Sequence, residues 1–525
     1  MKLHRNQRLT WTLTSGLLAI GALTTGALLG QPAAQQDAAK SPDKQQYTHK
    51  KPKVDPIEAN GPIFVDWPKP DVALVFSGEQ DGYLEPCGCA GLENQKGGFR
   101  RRFTLLKQLR DKGWPIVAMD SGGQEKRFGP QAEIKLDFAL RALSKMNYAA
   151  VGLGPDDLRM DLLSIVINLD PKANPLLSAN VGIVDFNSGF TQRFKVIEAG
   201  GMKIGVTSVL GKKELARFQN ATDLKLVDPE QAITQVLPEM KAAGCNQYVL
   251  LAQADSEEAK QLARRFREFN WVVAAHGAEE PPKEPAKIDG ADAHLIEVGH
   301  KGMYVAVVGL YKSGPLPFRY QKVPLDHRFA DAAEIDQMHV EYQKRLETLG
   351  WEGLGLKPNL HPTGRKFAGS KICSDCHLTA TDVYEKTPHI HATETIVKLQ
   401  PPRHFDPECI SCHATGWEPQ KYFPFDSGFL SLEKTPTMTG NGCENCHGPA
   451  ARHVAAEQGE LSLNKDEIEQ LRAALRIKIV PNEGNKEGQV YGKVVDMCMQ
   501  CHDLDNSPDF DFQKFWPDVK HVGKD

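Results

Sequence analysis

The sequence predicts an α/β domain followed by a loop-rich domain organised around paired cysteines. Two observations carry this division. Between residues 71 and 325 short apolar runs alternate with helical spacing, the pattern of sheet strands buried on both faces. Later, eight of the 11 cysteines fall between Cys373 and Cys501 as four pairs, each with two residues between the partners and a histidine directly after.

In chain order, the first segment reads as an export signal. Lys2, Arg5 and Arg8 precede an uncharged run over residues 9–30, so residues 1–30 are expected to be a signal peptide or an N-terminal anchor. The run is long enough to span a bilayer, yet Thr, Ser and Gly dilute it. Cleavage near Ala33 and Ala34 and retention as a membrane tether both fit. Either outcome delivers the rest of the chain to the periplasm or another extracytoplasmic space. Residues 31–70 are expected to be a disordered linker, rich in Gln, Ala, Lys and Asp and then in proline.

In the α/β region, strands are expected at 72–76, 115–119 and 149–153, with helices at 103–109 and 134–146. The pattern repeats with strands at 204–210 and 248–252 and helices at 229–243 and 257–269. Residues 294–298 and 303–310, joined by 299–302, read as a hairpin. Residues 326–365 form a connecting segment whose charged helix, 330–349, should stop at Gly350. From 366 to 525 periodicity fades, and Cys, His, Pro and Gly dominate. Such a region needs another source of stability than a large apolar core.

With 41% hydrophobic and 25% charged residues the composition is that of a soluble globular protein. A net charge of -4 and no basic stripe give no basis for nucleic-acid binding.

The paired motifs are Cys373-Ser-Asp-Cys376-His377, Cys409-Ile-Ser-Cys412-His413, Cys443-Glu-Asn-Cys446-His447 and Cys498-Met-Gln-Cys501-His502. This C-x-x-C-H spacing is the attachment pattern of c-type haem. Two thiols three positions apart can add across both vinyl groups of one macrocycle, and the next residue offers its imidazole as the proximal iron ligand. A single such motif could be half a zinc site or a redox dithiol. Four close together behind an export signal favour four covalently attached haem c groups, because zinc has no need of a histidine after every pair. For the distal side of the irons, the region also holds His361, His389, His391, His404, His453 and His521.

Residues 371–521 resemble the tetrahaem cytochrome c-554 family. The resemblance lies in Lys386-Thr-Pro-His389-Ile-His391-Ala, in His404-Phe-Asp-Pro-Glu-Cys409, in Gly442-Cys443-Glu-Asn-Cys446-His447-Gly-Pro with His453 following, and in Asn506-Ser-Pro-Asp-Phe-Asp-Phe-Gln-Lys-Phe-Trp516 leading to His521. It implies His389, His453 and His521 as distal ligands. His404 is the weaker candidate, because at least one haem in that family can be five-coordinate.

The α/β half resembles the metallophosphatase domain of secreted 5′-nucleotidases, through Asp81-Gly-Tyr-Leu-Glu-Pro86, Gly97-Gly-Phe-Arg-Arg-Arg102, Met119-Asp-Ser-Gly-Gly123 and Val151-Gly-Leu-Gly-Pro-Asp156. That family holds two metals through Asp-x-His, Gly-Asp, Gly-Asn-His-Glu/Asp and later histidines. Here the corresponding stretches read Glu79-Gln-Asp81, Gly122-Gly123, Gly154-Pro-Asp156-Asp157, Gln253 and Ala275-His276. A two-metal hydrolase needs several ligands to hold both ions, so a lost metal centre is expected. Cys87-Gly-Cys89 sits in the Gly-rich loop after the first strand. It is either an inert or oxidised pair or a redox or metal site, one that His276 could complete.

The expected fold is therefore an α/β metallophosphatase-like sandwich followed by a mostly helical, loop-rich multihaem cytochrome c domain. The expected function is electron transfer to and from other redox proteins, the α/β domain serving docking or ligand binding. The competing readings are an oxidoreductase acting on a small nitrogen or sulfur compound at an open haem, and a nucleotidase fused to a cytochrome.

Overall fold

The computed structural model describes residues 55–86, 95–170, 174–477, 493–503, 505–507 and 510–521. The export segment, Cys87 and Cys89 lie outside the described residues. Among the described residues no helix is long and apolar enough to cross a membrane.

In the α/β region the strands are β1 (Val72–Ser77), β2 (Ile116–Asp120), β3 (Tyr148–Val151), β4 (Val181–Ile183), β5 (Phe194–Ala199), β6 (Met202–Leu210) and β7 (Leu224–Leu226). They are followed by β8 (Gln247–Asp255), β9 (Trp271–His276), β10 (Ala286–Lys287), β11 (His294–Glu297), β12 (Tyr304–Leu310) and β13 (Phe318–Pro324). One sheet has the order β13-β12-β1-β2-β3 and a second the order β10-β11-β9-β8-β6-β5. β1, β2 and β3 run parallel, as do β6, β8, β9 and β11. Antiparallel strands β13 and β12, and β5 and β10, finish the edges.

Alternation along each strand explains the layers. Val72, Leu74, Phe76, Val117 and Met119 from the first sheet meet Ile204, Val206, Val249, Leu251 and Val273 from the second in a core between the sheets. The opposite face of the first sheet, with Ala73 and Val75, packs against the helices Phe99–Asp111, Pro130–Lys145 and Ala333–Gly353. The opposite face of the second, with Leu250, Ala252 and Val272, packs against Pro229–Ala242 and Ser256–Arg265. The result is a helix–sheet–sheet–helix sandwich.

Two expectations are corrected. The segments read as a hairpin are β11 and β12, but they lie in different sheets: β11 pairs with β9, and β12 with β1 and β13. Every residue of β12 is buried, and it needs covering on both faces. The turn at 299–302 therefore carries the chain from one sheet to the other rather than closing a ribbon. Residues 55–70 are also not a linker. Asp55 caps the helix Pro56–Asn60, accepting hydrogen bonds from Ile57 N and Glu58 N. Trp67 stacks on Trp114 with ring centroids 5.9 Å apart, and Phe64 meets both rings edge-on. The expected stop is present: Gly350, with φ 58°, breaks the helical run that begins at Ala333, and a further short turn follows to Gly353.

The C-terminal region is built of short helices around a small core of Phe367, Ile396, Ile410, Trp417, Phe425, Phe429 and Met438. It belongs to the same structural unit as the sandwich, His49–Asp525.

Candidate functional site

Each cysteine pair sits on or beside a short helix: Ser370–Cys373, Pro407–His413, Cys443–His447 and Lys493–Met499. A helical turn puts positions i, i+3 and i+4 on one face, so both thiols and the following imidazole face one side. In the first and fourth motifs the turn is closed by His377 N donating to Cys373 O and His502 N to Cys498 O, each 2.9 Å. In the second, Asp406 caps the helix at Glu408 N, and Pro407 presets its first turn. In the third, Glu444 is buried and accepts from the backbone N–H groups of Ala368, Gly369 and Ala450 at 2.6–3.1 Å. Nearby, Asn441 donates to Cys412 O (3.1 Å) and Asn445 to Ala414 O (3.0 Å), which ties the third motif to the second.

The motifs adjoin one another. The thiols of Cys373 and Cys443 are neighbours, as are those of Cys412 and Cys501, and Cys446 lies near Cys498 and Cys501.

Three motif histidines face three of the other candidates. Ring centroids are 6.4 Å apart for His377 and His453, 6.0 Å for His389 and His502, and 5.7 Å for His447 and His521. Two imidazoles on opposite sides of one iron need roughly 6 Å, from metal–nitrogen bonds of about 2 Å plus the ring radii. Second contacts orient the rings. Nδ1 of His447 donates to Leu475 O (2.8 Å), that of His413 to Ala392 O (2.7 Å), and that of His521 to Val519 O (3.0 Å). His502 Nδ1 hydrogen-bonds Ser507 Oγ at 3.0 Å. A donated Nδ1–H leaves Nε2 as the lone-pair atom that a metal takes. Burial pushes His389 down to about 4 and also lowers His413, His447, His453 and His502, so these rings stay neutral and ready to ligate.

His404 packs on Phe405 (ring centroids 3.9 Å), and burial lowers its pKa as well. His361 packs against Phe367 and Phe425 and bonds Thr363, while His391 is exposed beside Glu394. Cys245 forms no disulfide among the described residues, and its neighbour Tyr248 donates to Cys245 O.

A second constellation lies where the loops after β1, β2, β3, β8 and β9 converge, the position at which α/β folds hold ligands. Glu79 and Asp81 both adopt left-handed backbone, φ 47° and 54°. Glu79 Oε1 accepts from Gln253 Nε2 (3.1 Å), and His276 Nδ1 stands 3.4 Å from Glu79 Oε2. His300 Nδ1 stands 3.4 Å from Asp81 Oδ2. Ligand atoms of Glu79, Asp81 and His300 all lie within 4.8 Å of one another. His300 was not among the residues legible in the sequence, because a residue in a supposed hairpin tip has no reason to reach this mouth.

Other carboxylates nearby are committed to structure. Asp120 accepts from Ser77 Oγ (2.5 Å), Gly122 N (2.9 Å) and Gln124 Nε2 (2.7 Å). Asp157 accepts from the N–H groups of Gly123, Gly154 and Glu125 at 2.8–3.0 Å, and burial pushes it up to about 7. At Gly123 a Cβ would stand 2.3 Å from Glu79 Oε1. The glutamate fills the space that a side chain there would need.

The haem-motif segment covers this mouth from one side. Asp505 accepts from Tyr83 (3.0 Å) and pairs with Lys301, Arg403 pairs with Glu85, and Arg127 donates to Tyr422 (2.6 Å). Lys135 and Arg127 both contact Glu408, directly before Cys409, at 2.5–2.6 Å.

The two-sheet sandwich resembles those of metallophosphatases, and the segment after it carries the C-x-x-C-H motifs of c-type cytochromes. Residues 372–448 match the family described as cytochrome c554 and c-prime. The chain is 32% identical over 96 residues to cytochrome c-554 of Nitrosomonas europaea, covering 16% of this chain and 38% of that one. It is 25% identical over 198 residues to snake venom 5′-nucleotidase of Crotalus adamanteus (36% of this chain, 33% of that one) and 23% identical over 250 residues to human 5′-nucleotidase (46% and 43%). The chain thus spans between 33% and 43% of the length of these relatives. Among solved structures, the 5′-nucleotidase precursor of Thermus thermophilus aligns with a TM-score of 0.45 at 18% identity, over 60% of this chain and 68% of that one. The chain joins a cytochrome c-554-like C-terminal segment, which implies covalently bound haem c, to a 5′-nucleotidase-like segment before it.

Proposed function

We propose that the protein is an exported electron carrier with four haem c groups, whose α/β domain serves as a docking or ligand-binding module rather than a two-metal hydrolase. The observation that carries this reading is the facing of His377 with His453, His502 with His389 and His447 with His521. Haem bound between such rings supplies one-electron chemistry. Burial keeps His389, His447, His453 and His502 neutral, Nδ1 contacts orient His447, His502 and His521, and the four thiol pairs lie next to one another, the arrangement that electron hopping needs. Other redox proteins are the expected partners. The basic flank and apolar run over residues 2–30 support export, with the mature chain free in the periplasm or tethered at its N-terminus.

The hydrolase reading loses support because Asp120 and Asp157 are engaged by backbone and side-chain donors, and glycine stands at 122 and 123. Intact-mass analysis of natively matured protein tests the central part. Four groups add roughly 2.5 kDa to the polypeptide, about 0.6 kDa each; the bare polypeptide mass overturns the reading.

A further inference from the structure

We propose that Glu79, Asp81 and His300 hold a single divalent transition-metal ion, a site distinct in composition from the two-ion centre of the nucleotidases. The two-ion arrangement does not fit these residues. Asp120 and Asp157 spend their lone pairs on donors of the loops they brace. The position at 123 has no side chain, and Glu79 occupies its space. What remains is one set of ligand atoms, from Glu79, Asp81 and His300, all within 4.8 Å of one another.

An independent observation points to a missing occupant. Ser121 Oγ, Gln253 Oε1 and His276 Nε2 are buried with no hydrogen-bond partner, and Ser121 and Gln253 are completely buried side chains at the same strand ends. Native structures seldom leave buried polar atoms unsatisfied, and an ion or its bound water is a standard remedy. Gln253 Nε2 and His276 Nδ1 hold Glu79 in place from behind, the supporting role that groups around a metal commonly play. Two carboxylates and one imidazole, without thiolate, suit manganese(II) or iron(II). His276 and His300 are 33% and 24% exposed, which leaves an entry path. The crossing turn between the two sheets brings in His300, and it also carries Lys301, which pairs with Asp505 three positions after His502.

Calorimetric titration of manganese(II) into chelator-treated, natively matured protein tests the site. Spin resonance of unbound manganese provides an independent count. Wild type should bind one ion per chain, and Asp81→Asn and His300→Ala should each weaken binding at least tenfold with unchanged haem absorption. His300 lies in a partly exposed turn, so His300→Ala decides the matter even if Asp81→Asn fails to fold. No saturable binding, two ions per chain, or wild-type affinity in His300→Ala overturns the proposal. None of these readouts depends on electron transfer, so the site and the carrier reading fail separately.

Discussion

Glu444 is one of the two residues between the cysteines of the third motif, yet its carboxylate is buried and takes three backbone N–H groups from Ala368, Gly369 and Ala450. Removing it strands those donors, and each buried unsatisfied group costs about 1–3 kcal/mol. Glu444→Ala should lower unfolding free energy by roughly 3 kcal/mol in a denaturant titration, with Glu444→Gln losing less. Asp157 gives a pH signature. Its carboxyl is raised by burial from 3.8 to about 7, so the folded chain binds its proton more tightly than the unfolded chain does. The stability it contributes is complete below about pH 4 and is lost as pH rises through about 7. Asp157→Asn should flatten stability between these values in pH-dependent melts, with some overall loss because an amide nitrogen cannot accept all three N–H groups. At the haem motifs, His389→Ala removes the ring facing His502 and should convert one low-spin signal to high-spin in the oxidised protein, while leaving the others unchanged.

Elements differ in how far their sequence reveals them. β1 was legible because residues 72–76 are apolar throughout and too short for a buried helix, and β6 because its apolar residues outnumber the polar ones over a span that is also short. The four cysteine motifs were legible because their chemistry is local to five residues. The pairing of β11 and β12 was not: periodicity identifies a strand, but the sheet it joins depends on distant partners such as β9 and β1. The same limit hid His300, which has no local motif. The resemblance implied His389, His453 and His521 as distal candidates but not which motif histidine each faces, since 76 positions separate His377 from the facing His453 in sequence. The prolines before residue 70 suggested disorder, whereas Phe64 and Trp67 supply enough aromatic contact to seat that segment on Trp114. The docking of helix Pro407–His413 on helix Pro130–Lys145 through Lys135 and Glu408 is likewise a tertiary fact. Lys135→Met removes one cation from a pair in which Glu408 keeps 26% exposure and Arg127 remains. A loss of about 2 kcal/mol in thermal or denaturant unfolding is expected, below the roughly 3–5 kcal/mol of a fully buried broken pair.

Over the whole molecule, one arrangement recurs: charged residues of the sandwich mouth meet charged residues next to haem motifs. Glu85 joins Arg403, Lys301 joins Asp505, and Lys135 and Arg127 join Glu408 beside Cys409. A ligand or ion arriving at Glu79 and Asp81 therefore lies beside the segment that carries the second and fourth motifs. That proximity gives a physical reason for the two halves to share a chain. The central claim is that iron sits between named histidine pairs. Electron paramagnetic resonance of the oxidised, natively matured protein tests it most directly. The account predicts low-spin ferric signals from at least three irons per chain, from the pairs His377 and His453, His389 and His502, and His447 and His521. A spectrum dominated by high-spin iron, or one with fewer than three low-spin centres, would contradict it.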